Sequence, residues 1–99
     1  MANLSPEDQF ESKEQIYIEL FEQFILELGQ TALYFLGVIP DPETGEHVDN
    51  LEGAKHIVDQ LEMLKHKTSG NLTPDESVLL NKTLHNLRSA VGDRFQSLD

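Results

Sequence analysis

The chain contains no cysteine, which excludes disulfides, thiol nucleophiles and cysteine-ligated metal centres and suits a reducing compartment. Basic residues are scarce as well: seven Lys and Arg stand against 18 Asp and Glu, for a net charge of −11. The deficit is local. Lys13 is the single base among the first 54 residues, against Glu7, Asp8, Glu11, Glu14, Glu19, Glu22, Glu27, Asp41, Glu43, Glu46, Asp49 and Glu52, whereas acids and bases balance from Lys55 onward. With no basic stripe to neutralise phosphates, neither nucleic acid nor an anionic membrane is expected as a ligand. Long apolar runs are also missing. The richest segment, Leu20 to Ile39, is interrupted by Glu22, Glu27 and Gln30, which argues against a membrane span. Met1 to Asp8 has neither the basic nor the apolar part of a secretory leader. No alternating strand pattern and no internal repeat is present.

What is present has the period of a helix. On a 100° wheel, Tyr17, Leu20, Phe21, Phe24, Ile25, Leu28, Ala32, Phe35 and Leu36 form one broad stripe, with Leu26 and Leu33 on the far side. That circumference exceeds what one small domain readily covers, so self-association, most simply a dimer, is expected. Ser12-Lys13-Glu14-Gln15 fits a capping box and predicts a start at Ser12, with Ser5-Pro6 as a rival; residues 1–11 then form an acidic leader and 12–99 a single helical domain. Gly37 is placed for a left-handed cap, with Val38 folding back on Leu33, before the turn-rich segment Pro40 to Glu46. A second helix, capped by Asp49 or Asn50, has the core stripe Leu51, Ala54, Ile57, Val58, Leu61 and Leu64, and Gly70 stops it. Glu52, His56, Asp59, Met63 and His66 lie across from that stripe. Thr73-Pro74-Asp75-Glu76 opens a third helix with a cap, a proline at the first turn and acids at the positive end of the dipole. Its seam is Leu80, Leu84, Leu87, Val91, Phe95 and Leu98. The fold class is therefore all-α: three helices, the last two an antiparallel hairpin, contributing to an intermolecular helical bundle.

Several blocks together resemble a bacterial family known only as a domain of unknown function, number 1844 in its series. They are Phe21 and Phe24 to Leu28, Gln30 to Leu33, Leu36-Gly37, Ile39 to Pro42 with Thr44-Gly45-Glu46, Asn50-Leu51-Glu52 with Ala54, Leu61 to Leu64, Lys67-Thr68 and Gly70 to Thr73. The resemblance implies a small bacterial, cytoplasmic protein and carries over no activity or catalytic residue.

Candidate sites are weak. Asp41, Glu43, His47, Asp49 and Glu52 mimic the spacing of an EF-hand loop, but the sixth position is Glu46 and Gly45 falls one place early, so an acidic connector is the better reading. His56 with Asp59 or Glu52 has helical chelate spacing, with His66 nearby, yet two convergent ligands do not make a metal centre. His47 and His85 stand apart. No serine has a nucleophile-elbow context and no glycine pattern forms a phosphate cradle, so no enzyme activity and no cofactor is expected. Gly29, Thr31 and Ala32 are ordinary small residues of a packed interface. The expected function is a homo-oligomeric interaction or adaptor module, with Phe24, Leu26, Leu28, Leu33 and Phe35 as the candidate interchain surface. Asp41, Glu43 and Glu46 form a candidate acidic surface for a basic protein partner. The alternatives are a protein with a ligand- or metal-binding pocket between helices, and an acidic inhibitor of a basic or nucleic-acid-binding protein.

Overall fold

The computed structural model describes residues 6–97, with side chains described from 13 to 95. Three helices account for the fold, α1 (Pro6–Phe35), α2 (Leu51–Lys67) and α3 (Pro74–Ser97), and each packs against both others. No strand occurs among the described residues.

α1 starts at Pro6, the rival position, so Ser12 lies inside the helix rather than at its cap; its side chain is outside the described set. Proline is pre-organised for a first helical turn, and the acids that follow favour the positive end of the dipole, so nothing in residues 7–12 stops the helix forming early. At the other end, Gly37 adopts φ +78° and Val38 N–H donates to Leu33 O at 2.9 Å, the closure of a Schellman cap. Asn50, rather than Asp49, caps α2: its side-chain oxygen accepts from Gly53 N–H at 2.9 Å. α2 ends at Lys67, earlier than Gly70, and Thr68 forms the cap. The reciprocal box at α3 is complete. Thr73 N–H donates to Glu76 Oε1 at 2.8 Å and Glu76 N–H donates to Thr73 Oγ1 at 3.1 Å, which accounts for a buried glutamate.

The core is Ile25 and Ala32 from α1, Ile57, Val58 and Leu61 from α2, and Leu80, Leu84 and Leu87 from α3. Leu64 and Val91 pack against its edge. The expected stripes of α2 and α3 thus point inward, except that Phe95 is half-exposed under Lys55, whose Nζ sits 5.1 Å from the ring centroid. Leu98 lies outside the described residues. Lys55 meets Phe95 and Glu62 meets Arg88, so α3 runs back along α2.

Axial register decides what α1 leaves uncovered. A Cβ built on Gly29 would lie 3.4 Å from Thr83, and one on Gly53 would lie 2.8 Å from Phe35. Counting back at one rise per residue, the start of α3 and the end of α2 both come level with about residue 20 of α1. The α1 residues N-terminal to that level project past the other two helices by about 20 Å, consistent with a longest dimension of 61 Å.

Gly53 lies close against Phe35 at the end of α1 and against its own helix cap, so that an added methyl would sit 2.7 Å from Asn50 Nδ2 and 2.8 Å from Phe35 Cδ2. Gly53→Ala is therefore expected to destabilise by about 1–3 kcal/mol, although Gly to Ala in a helix ordinarily stabilises. Gly92, with nothing within 4 Å of its would-be Cβ, is the control. Gly92→Ala is expected to stabilise by about 0.5–1 kcal/mol. Urea denaturation of both variants checks the opposite signs. Thr73→Ala is expected to cost about 1 kcal/mol by the same measurement, through loss of the α3 cap.

Candidate functional site

Three parts of the surface bear on function: the projecting half of α1, the groove between α1 and α3, and the loop from Leu36 to Asn50.

On the projecting half and just beyond it, Ile16, Tyr17, Leu20 and Phe24 are 50%, 61%, 55% and 46% exposed. Tyr17, Leu20 and Phe24 belong to the broad stripe of the wheel. Tyr17 lies before the level that α2 and α3 reach, whereas Leu20 and Phe24, at and inside that level, turn to the flank of the core-facing arc. Phe21, Leu28 and Phe35, on the same stripe but turned further inward, pack against the core. The candidate interchain surface is thus divided: Phe24 and Leu26 are exposed, whereas Leu28, Leu33 and Phe35 are partly buried against this chain's own core. Glu19 and Glu22 lie about 100° and 160° round the helix from Leu20, off the apolar face, and Glu27 stands at its C-terminal end.

Leu26 and Leu33, opposite the stripe, line a shallow apolar groove between α1 and α3 with Gly29, Thr83, Asn86 and Leu87. Its volume is about 220 Å³, below that of a typical small-molecule site. Leu33 is closer to the core than the wheel places it, because α1 sits between two helices and its contact arc is wider than one stripe.

The loop is organised by Asp41. Its Oδ1 accepts from Glu43 N–H at 2.7 Å and Thr44 N–H at 3.2 Å, its Oδ2 accepts from the Tyr34 hydroxyl at 3.0 Å, and its backbone pairs with Gly45 and Glu46. Gly45 closes this turn at φ +73°. His47 Nδ1 lies 2.6 Å from Gly37 O, tying the far side of the loop to the end of α1. Asp49 forms an ion pair with Arg94 at 2.5 Å. Of the acidic surface residues, Asp41 therefore serves the loop's own geometry, while Glu43 and Glu46 stand exposed. The EF-hand-like set does not assemble, since Asp41 and Asp49 are committed to different partners. Glu52, His56 and Asp59 are exposed on α2, with Glu52 4.0 Å from Lys55 Nζ. Among the described residues no three His, Asp or Glu side chains converge as metal ligands. His66 and His85 are also exposed. No described helix is long and apolar enough to cross a membrane.

This small all-α domain of three mutually packed helices matches the family described as a domain of unknown function (DUF1844) over residues 19–91. The chain belongs to that family. The matched segment begins at Glu19, close to the level at which α2 and α3 begin to cover α1. No curated protein and no solved structure matches.

The hydrogen bonds to Asp41 favour its ionised form. They hold the carboxyl below its ordinary 3.8, the Glu43 N–H contributing most, then the Tyr34 hydroxyl and the Thr44 N–H. Tyr34 is raised above its ordinary 10.0, first by that same hydrogen bond. A depressed carboxyl stabilises the loop at pH values above its unfolded pKa, and the contribution is lost as pH falls through the folded one. The amide NMR signals of Glu43 and Thr44 are expected to titrate with a midpoint below 3.8, and Asp41→Asn is expected to abolish that titration with the helices intact. A midpoint at or above the ordinary value would show that the turn does not favour the carboxylate.

Proposed function

We propose that this chain is a homo-oligomeric interaction module whose contact element is the projecting half of α1. The observation that carries the reading is the exposure of Ile16, Tyr17, Leu20 and Phe24 on one face of α1 that α2 and α3 leave uncovered. Single exposed apolar residues are common on monomers, but four along two turns of one face form a contiguous patch. Two of the four are aromatic, and aromatic side chains are enriched where proteins meet. The groove between α1 and α3 supports a ligand-binding alternative less well, being shallow and lined by few polar groups.

Sedimentation equilibrium is expected to give a dimer or larger species at micromolar concentration, and Leu20→Glu with Phe24→Glu is expected to shift it to monomer with the helical circular dichroism retained. A wild-type chain that stays monomeric at all concentrations would refute the reading. Loss of helicity in the double variant would place these side chains in the chain's own core instead.

A further inference from the structure

Resting on that reading, we infer that two copies pair through α1 in antiparallel fashion about a twofold axis at Leu20, with Lys13 of each copy against Glu27 of the other.

The seam is written in the spacing. Lys13, Tyr17, Leu20, Phe24 and Glu27 follow one another at steps of four, three, four and three, the spacing of a helix that packs lengthwise on another. All five are exposed, and they fall within an arc of about 80° on the wheel. Reversed about Leu20, the series maps onto itself in chemical kind: base, aromatic, leucine, aromatic, acid become acid, aromatic, leucine, aromatic, base. An antiparallel pair centred there sets Leu20 on Leu20 of the second copy. Tyr17 meets the partner's Phe24 within one residue of register, and Lys13 lies level with the partner's Glu27. The twofold axis duplicates the ion pair and the aromatic pair, so the interface is self-complementary as a closed dimer requires.

Charge selects this arrangement over its rivals. A parallel pair would set Glu27 on Glu27 and Lys13 on Lys13, two like-charge contacts at the ends of an apolar seam. Antiparallel pairs slipped by half a heptad would bring Glu27 onto Tyr17 or Lys13 onto Phe24 and leave the charges without opposite partners. Lys13 is the only base in the first 54 residues, and it stands seven positions before Leu20 as Glu27 stands seven after. Glu19 and Glu22 point away from the seam, so the surplus acids of the two copies do not meet there. Glu27 accepts an exposed hydrogen bond from Gln23 Nε2 at 3.2 Å, on the flank of the seam, and this bond does not block the approach.

Area is consistent with a reversible dimer. Half-exposed side chains of the size of Tyr17 and Phe24 offer about 100 Å² each, so the four apolar residues of both copies contribute roughly 800 Å². Lys13, Gln23 and Glu27 bring the total to about the 1,000 Å² expected of a specific interface.

The absence of cysteine makes the register directly testable on the full chain. Under mild oxidation, Leu20→Cys is expected to form a covalent dimer rapidly. Lys13→Cys alone is expected not to, because its two copies would lie about 21 Å apart along the axis, whereas a mixture of Lys13→Cys and Glu27→Cys is expected to cross-link. Lys13→Glu is expected to weaken dimerisation about tenfold, and Lys13→Glu combined with Glu27→Lys to restore it to near the wild-type level. These positions are exposed, so folding is not at stake. A wild-type dimer in which Lys13→Cys self-links as fast as Leu20→Cys, or in which the double charge exchange fails to restore association, would overturn the antiparallel pairing while leaving the interaction module standing. A monomeric wild type would remove both.

Discussion

Ile25 and Ala32 of α1, closed completely from solvent among Leu61 of α2 and Leu80 and Leu84 of α3, set the position of everything else. Once those side chains meet, the level of α1 against the other two helices is fixed, and the inequality of lengths does the rest. A helix of 30 residues cannot be covered by one of 17 and another that starts level with its twentieth residue. The exposure of Ile16 and Tyr17 is thus a consequence of register. The same register leaves the end of α3 beyond the end of α1, where Asp49 and Lys55 meet Arg94 and Phe95.

The connection between α1 and α2 shows why an acidic loop need not be an acidic binding site. Asp41 has both oxygens engaged, one by two backbone N–H groups and one by the Tyr34 hydroxyl, and Asp49 is paired with Arg94. Their charge is spent on turning the chain and fastening it to α1 and α3. Glu43 and Glu46, which point outward, add to a surface charge whose plainest effect is solubility around an apolar face.

Much of this was legible in the sequence, and the failures have separate physical causes. The stripes of α2 and α3, the Thr73 cap and the Gly37 stop depend on local chemistry, and each stands where its residues require. A wheel, however, reports direction and says nothing about level along the axis. Tyr17 is uncovered because it lies before the level at which α2 and α3 reach α1, whereas Leu20 and Phe24, at and inside that level, are uncovered because they turn to the flank of core-packing Phe21 and Leu28. Leu33 errs the opposite way: α1 rests in the crease between α2 and α3, so a residue opposite the stripe is still drawn into contact. The capping box predicts a start at Ser12, but Pro6 is also a sound helix opening, and the earlier one prevails where no residue between them breaks the helix.

The composition of the projecting face also bears on whether it exists for its own sake. A surface under no demand beyond solubility would place charge at Tyr17, Leu20 and Phe24, as the chain does across the same helix at Glu19 and Glu22. Helix propensity offers no reason for the aromatics, since Phe and Tyr are poorer helix formers than the Glu, Lys or Gln available elsewhere on α1. Exposing them costs free energy of hydration that burial would recover at about 25 cal/mol per Å². A pattern unfavourable in the isolated chain on both counts, bounded by one base and one acid at equal distances from its centre, is what the proposed pairing through α1 would account for.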